Sequence, residues 1–390
     1  MANDLLASMV VAIWAYLLIG RGGFWLTRER EDGAATGDGP WPPIVAVVPA
    51  RDEAETVGKT IISLLQQDYP GEFSVTLVDD QSRDGTAEIA RAAAASRGEA
   101  ARLTVLAGRP LPAGWTGKLW AQHQGVEAAS ALAHPPAYLL LTDADIVYAA
   151  YALRSLVARA EAGRYVLTSL MAELRCTTLA ERFFIPAFIF FFQMLYPFAW
   201  ANDPRRGTAA AAGGCMLARR DALVHAGGMA AIRAALIDDC TLAKKLKAQG
   251  PIWIGLTHTV SSIRAYPALA DIRRMVSRTA YAQLRYSPLL LAATVIALAL
   301  TFIAPVILAL SAAGAARFLG IAAWLMMTFA LVPTLRFYRV SPLWGVALPA
   351  IAATYMAFTL DSAYQHWRGR SGMWKGRPQG NLQGKVTELP

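Results

Sequence analysis

Val75-Thr76-Leu77-Val78-Asp79-Asp80 and Tyr138-Leu139-Leu140-Leu141-Thr142-Asp143-Ala144-Asp145 are the two stretches whose reading decides the fold. Each is a short apolar run that stops on acids, which suits a strand buried in a sheet. A carboxylate cannot follow such a run into the core, so the acidic pairs must crowd a shared strand-end edge. There they repel one another unless something positive joins them. A divalent cation carrying a nucleoside diphosphate is the natural candidate. A third pair, Asp238-Asp239, opens a helix-like segment further on.

The flanking sequence extends the pattern. Ile44 to Val48 is a β-branched run ending at Pro49, and Val57, Ile61, Leu64 and Leu65 then recur at helical spacing until Tyr69-Pro70-Gly71 stops them. Ser82 to Thr86 reads as a turn, followed by an Ala-rich helix to about Arg97, a strand from Leu103 to Leu106, and a helix from about Lys118 to Ala131. This alternation predicts an α/β fold with a mostly parallel sheet and helices on both faces. Ligands of such sheets bind outside the carboxyl ends of the strands, where Asp52, Asp80 and Asp145 fall.

The 390 residues are 55% apolar and only 17% charged, too apolar for an ordinary soluble enzyme. The excess gathers in Leu5–Gly20, Leu289–Ala313, Phe318–Leu335 and Leu343–Leu360. Each is about long enough to cross a hydrocarbon layer of roughly 30 Å as a helix, the first only just. Asp4 precedes the first run and Arg21, Arg28 and Arg30 follow it, which predicts a retained anchor rather than a cleaved signal. The same charges place the N-terminus outside and the next domain in the cytoplasm. The organisation expected is an anchor over 1–21, a linker over 22–43, a catalytic domain over 44–287, membrane helices over 288–361 and a basic tail over 362–390. Four crossings return both termini to the outer side, whereas Arg368, Arg370, Lys375 and Arg377 favour the cytoplasm, so the span count and the charge rule conflict. The last run, interrupted by Pro349, and the short first one are the weakest spans.

Phe183 to Trp200 differs from these runs in its density of aromatic rings, and reads as an interfacial helix, the alternative being a buried core helix. The net charge of +9 (37 Lys and Arg against 28 Asp and Glu) includes Arg205-Arg206, Arg219-Arg220 and Arg273-Arg274, clusters that suit anionic lipid or plain solvation. Without aromatic interleaving or a recognised motif, they argue against a nucleic-acid partner. Cys176, Cys215 and Cys240 lack the spacing of a zinc site or a disulfide framework and fit a reducing compartment. The five histidines show no metal-ligand spacing.

Four motifs in order carry a family resemblance: Val48-Pro49-Ala50-Arg51-Asp52-Glu53, Val78-Asp79-Asp80-Gln81-Ser82-Arg83-Asp84-Gly85-Thr86, Asp143-Ala144-Asp145, and Asp238-Asp239-Cys240-Thr241-Leu242. Over roughly Ile44 to Gly250 the chain resembles the family 2 inverting glycosyltransferases. Gly114-Trp115-Thr116-Gly117-Lys118-Leu119-Trp120-Ala121, Gln283-Leu284-Arg285-Tyr286-Ser287-Pro288 and Gly372-Met373-Trp374-Lys375-Gly376-Arg377 are similar to the hopene-associated members found in bacteria. The resemblance implies the GT-A fold, a Rossmann-like α/β domain facing the cytoplasm at the bacterial inner membrane. It implies a UDP-sugar donor, Mg²⁺ or Mn²⁺, and a membrane lipid acceptor such as a hopanoid. Polyprenyl phosphate is the alternative acceptor.

By the same resemblance Pro49, Ala50, Arg51, Glu53 and Asp80 hold the uracil and ribose. Asp143 and Asp145 hold ribose and the metal, and Lys118 adds a positive charge near the phosphates or the sugar. The base is Asp239, and because Asp238 replaces the usual Glu the choice between the two stays open. Gly213 and Gly214 form the acceptor-side loop or, equally, a tight packing turn. Ala282-Gln283-Leu284-Arg285-Tyr286 keeps only part of the Gln-x-x-Arg-Trp signature of processive relatives. Single transfers are therefore expected, with Arg285 near the diphosphate.

Overall fold

The computed structural model describes residues 1–31, 33, 39, 41–369, 373–374 and 377–378. Residues 32, 34–38 and 40 of the linker and most of the basic tail, with Arg370, Lys375 and half of the Gly372 to Arg377 motif, lie outside the described residues. The chain divides into two compact units. One comprises 29–175, 200–264 and 372–390, the other 1–28, 176–199 and 265–371. Residues 176–199 and 265–287, read from the sequence as part of the catalytic domain, thus group with the apolar helices.

The first unit is built on one sheet. Its strands are β1 (Arg30–Glu31), β2 (Ile44–Ala50), β3 (Phe73–Asp79), β4 (Leu103–Ala107), β5 (Tyr138–Thr142), β6 (Ile146–Tyr148), β7 (Leu167–Glu173), β8 (Cys215–Arg219) and β9 (Ile252–Ser262). They lie in the order β1-β9-β7-β8-β5-β2-β3-β4, with β6 paired to β9. The pairings β1/β9, β7/β9, β5/β2, β2/β3 and β3/β4 are parallel, whereas β8 runs antiparallel between β5 and β7. The sheet is therefore mixed but mostly parallel.

Strands β2 and β5 are buried at every position, as continuous apolar runs require. One face packs against helices Val57–Leu65, Thr86–Ala95 and Ala152–Gly163 through Val57, Ile61, Leu64, Ala90, Leu153 and Leu156. The other packs against Gly117–Ser130, Arg220–His225 and Asp238–Lys247 through Leu119, Val126, Leu223, Leu242 and Leu246. Gly125 is where helix Gly117–Ser130 touches the sheet: a Cβ there would stand 2.4 Å from Val47 Cγ1 and 3.1 Å from Val78 Cγ2. Gly125→Val is expected to cost about 3 kcal/mol by overpacking, seen as a lowered unfolding midpoint of the detergent-solubilised protein.

The second unit is helical. Ala2–Gly20, Pro288–Ser311, Gly314–Phe337 and Pro342–Trp367 are long and apolar enough to cross a membrane, at 19, 24, 24 and 26 residues. Pro349 does not interrupt the last of them. It sits in the first turn of helix Leu348–Trp367, where no helical N–H is needed, after a 3-10 turn over Pro342–Ala347. The aromatic segment forms helix Leu179–Leu195, started by a capping box between Thr178 and Glu181. None of its phenylalanines is exposed. Phe190 packs on Phe24, Phe191 on Phe302 and Tyr355, and Phe183 on Trp344.

Candidate active site

Two loops meet at the carboxyl ends of β2 and β3 and lock each other. Asp52 and Gln81 both take left-handed backbone angles, φ 50° and 58°. The Asp52 N–H donates to Ser82 Oγ (3.0 Å) and the Arg83 N–H to Asp52 Oδ1 (2.8 Å). The Glu53 N–H donates to Thr86 Oγ1 and the Ala54 N–H to Asp84 Oδ2, both at 2.9 Å. Asp79 accepts the Ser82 N–H and so closes its own turn locally. Asp80 is wholly buried, with Arg51 Nη1 donating to its carbonyl and lying 3.8 Å from Oδ2. The backbone from Pro49 to Glu53 is thus held against Asp80.

Beyond β5 the acids alternate with cations. Lys118, in the first turn of helix Gly117–Ser130, reaches Asp143 Oδ1 at 2.9 Å and Asp238 Oδ2 at 3.2 Å. Burial works against the Lys118 ammonium, but Asp143 and Asp238 more than offset it and keep it protonated. Asp143 is pushed above the usual carboxylate range, by burial first, against the pull of Lys118. The sequence expected Lys118 near phosphates. Its partners here join the strand-end acids to the helix-opening pair.

Asp238 and Asp239 open helix Asp238–Lys247, which Cys240, Leu242, Ala243 and Leu246 anchor in the core. Asp239 is half-buried and accepts the Gly213 N–H (3.1 Å) and the Cys240 N–H (2.7 Å). Burial first, then the neighbouring Asp238, raises its pKa to about 6. A carboxylate so placed is ionised at neutral pH yet a better proton acceptor than an exposed aspartate.

Gly213 and Gly214 are confined as close-approach residues. A Cβ on Gly213 would stand 3.3 Å from Lys118 Nζ, and one on Gly214 3.0 Å from Ile146 Cδ1. The Gly214 carbonyl accepts Thr142 Oγ1 (2.8 Å) and the Tyr148 hydroxyl (3.3 Å), and Ser169 Oγ accepts the Ala212 N–H (2.9 Å). The loop is therefore tightly packed where it meets Lys118 and Asp239.

Two residues that the sequence reading passed over complete the cluster. Arg264, just past β9, donates from Nε to Asp145 Oδ2 (2.7 Å) and from Nη2 to both Glu53 oxygens (2.8 and 3.0 Å). Ser262 Oγ also donates to Asp145 Oδ2 (3.2 Å). Among the described residues, Glu53, Asp80, Asp143, Asp145, Asp238 and Asp239 gather beside Arg51, Lys118 and Arg264. Carboxylate oxygens are hard ligands of the kind that suit Mg²⁺ or Mn²⁺. Among the described residues no three His, Cys, Asp or Glu side chains gather as a ready ligand set, so ligand oxygens would have to complete the shell. Arg285 belongs to the helical unit, where it and Tyr286 take left-handed angles (φ 52° and 56°) in the turn before Pro288.

The family model described as Glycosyl transferase family 2 matches residues 45–226. The mannosyltransferase PcManGT from Pyrobaculum calidifontis, solved with GDP-Man and Mn²⁺, is 17% identical and superposes with a TM-score of 0.56, covering 95% of this chain and 100% of its own. Mannosyl-3-phosphoglycerate synthase from Rubrobacter xylanophilus is 19% identical, with a TM-score of 0.40, over 67% of this chain and 80% of its own. No curated protein matches. The sheet order and the first of these likenesses establish a GT-A-like fold. Residues 45–226 match the family 2 glycosyltransferase model, and the protein is a glycosyltransferase.

Proposed function

We propose that the enzyme moves a sugar from a nucleotide-sugar, a UDP-sugar by its motifs, to a hydroxyl of a membrane lipid such as a hopanoid, with inversion at the anomeric carbon. The observation that carries this reading is the Lys118 bridge, which joins Asp143 to Asp238 and so sets the donor acids beside Asp239. The four apolar helices support a lipid acceptor.

In this reading Arg51, Glu53, Asp80 and the Pro49-Ala50 backbone hold the nucleobase and ribose. Asp143 and Asp145 would hold the ribose and Mg²⁺ or Mn²⁺, with Asp145 on the metal, as the solved mannosyltransferase with Mn²⁺ and GDP-Man encourages. When bound, the ion neutralises charge on the departing nucleoside diphosphate. Lys118 supplies further fixed positive charge on that side. Asp239 takes the acceptor proton as the hydroxyl oxygen attacks the anomeric carbon, while the bond to the nucleotide breaks and its electrons leave with the diphosphate. Because transfer is direct, an α-linked donor yields a β-glycoside. Gly213 leaves room for the acceptor, and Arg285 is assigned to the diphosphate or acceptor side.

The test incubates native membranes containing the enzyme with UDP- and GDP-sugars and identifies new glycolipids by mass. A sugar on a lipid hydroxyl, lost in Asp239→Asn, is expected. A product on polyprenyl phosphate that survives Asp239→Asn would favour the alternative acceptor. Nucleotide release only with water-soluble acceptors would overturn the lipid reading.

A further inference from the structure

Arg264 makes the shortest contact to the carboxylate that the reading above gives to the metal. Its Nε lies 2.7 Å from Asp145 Oδ2 and its Nη2 grips both oxygens of Glu53. An ion bound to that same oxygen, at roughly 2.0–2.6 Å, would stand beside the guanidinium, and two positive groups so close repel strongly. Glu53 holds the arginine from the other side, so its departure from Asp145 need not release it from the site. Ser262 Oγ donates to the same Oδ2 at 3.2 Å.

We propose that Arg264 is a stand-in cation: it neutralises Asp145 and Glu53 in the donor-free enzyme and yields Asp145 only to an ion that arrives with a diphosphate. The inference rests on the reading that Asp145 binds the metal. A bare divalent ion brings two positive charges toward the guanidinium. A nucleotide-sugar diphosphate brings two negative charges that cancel them, and its phosphate oxygens can receive an arginine fork. Arginine suits this exchange because its delocalised charge is weakly hydrated and its donors fit carboxylate and phosphate alike. Binding of the ion and the nucleotide is consequently coupled, the two entering together.

The test measures Mn²⁺ alone, by the electron paramagnetic resonance of the free ion, against the full-length protein in detergent. Wild type is expected to bind Mn²⁺ weakly without nucleotide, and Arg264→Gln about 10-fold or more tightly once the competing charge is gone. Asp145→Asn added to that variant is expected to erase the gain. Equal affinity in wild type and Arg264→Gln, with Mn²⁺ still lost in Asp145→Asn, overturns the role of Arg264 and leaves the metal reading standing. Unchanged Mn²⁺ binding in Asp145→Asn overturns the metal reading itself, and the inference with it. Should Arg264→Gln lack a cooperative melt, Arg264→Lys carries the test, keeping a charge but losing the fork. Its affinity is expected to rise by a smaller factor, and no rise overturns the inference.

Discussion

Asp239→Asn is expected to lower kcat by about 10²- to 10⁴-fold, the ordinary worth of a positioned general base, while nucleotide affinity stays within about twofold of wild type, since an uninvolved residue perturbs binding little. The substitution is nearly isosteric but not neutral. Asp239 accepts two backbone N–H groups, from Gly213 and Cys240, one on each oxygen. An asparagine has one acceptor oxygen, so its NH₂ must face one of those donors, at a cost of about 1–3 kcal/mol for the unmade bond. A melting curve separates that cost from lost chemistry. The matching variant Asp238→Asn removes a partner of Lys118 but not the Gly213 contact. If Asp238→Asn proved the more damaging to kcat with nucleotide binding intact, the base would be Asp238. Equal and full turnover by both variants would leave the site without its assigned base.

Lys118→Met is expected to reduce kcat/KM about 10²- to 10³-fold near neutral pH, the usual effect of removing one fixed electrostatic group from a reaction site. The pH profile supplies a readout that simple misfolding does not. Asp239 must be ionised to accept a proton, so with its pKa at about 6 the wild-type kcat/KM falls on acidification through that region. Lys118 lowers the Asp239 pKa. Removing the ammonium leaves burial and Asp238 unopposed, so the acid limb moves to higher pH and the variant loses more activity at pH 6 than at pH 8. An acid limb that stays in place would mean that Lys118 acts on the donor side alone. Stability falls too, because Asp143 and Asp238 lose their shared counter-ion, by less than the roughly 3–5 kcal/mol of a fully buried pair, since all three side chains are only partly buried.

Strand-end chemistry was legible before any coordinates. Runs such as Val45-Ala46-Val47-Val48 and Leu139-Leu140-Leu141 can be satisfied only inside a sheet, and the acids that end the neighbouring runs can be satisfied only at its edge. Helix Val57–Leu65 and the Asp238-Asp239 pair at the start of a helix follow from local spacing in the same way. The later strands were harder. Strand β8, which runs antiparallel beside β5, carries no local sign of its direction. Pro349 misled as a breaker because a proline in a helix interior and one in its first turn look alike until the start of the helix is known.

Local sequence by itself determined which residues are buried in strands, which acids stand at their ends, and which segments are long and apolar enough to cross a membrane. Those are short-range consequences of burying apolar side chains and exposing charged ones. Only the tertiary structure decided who neutralises whom. Arg264 lies 119 residues from Asp145 and 211 from Glu53, and reaches them because β6 pairs with β9 and brings the end of β9 beside the second acidic pair. Lys118 joins acids from β5 and from a helix far along the chain for a similar reason. An ion pair forms wherever folding leaves two opposite charges together out of water, and no spacing rule encodes that meeting in advance.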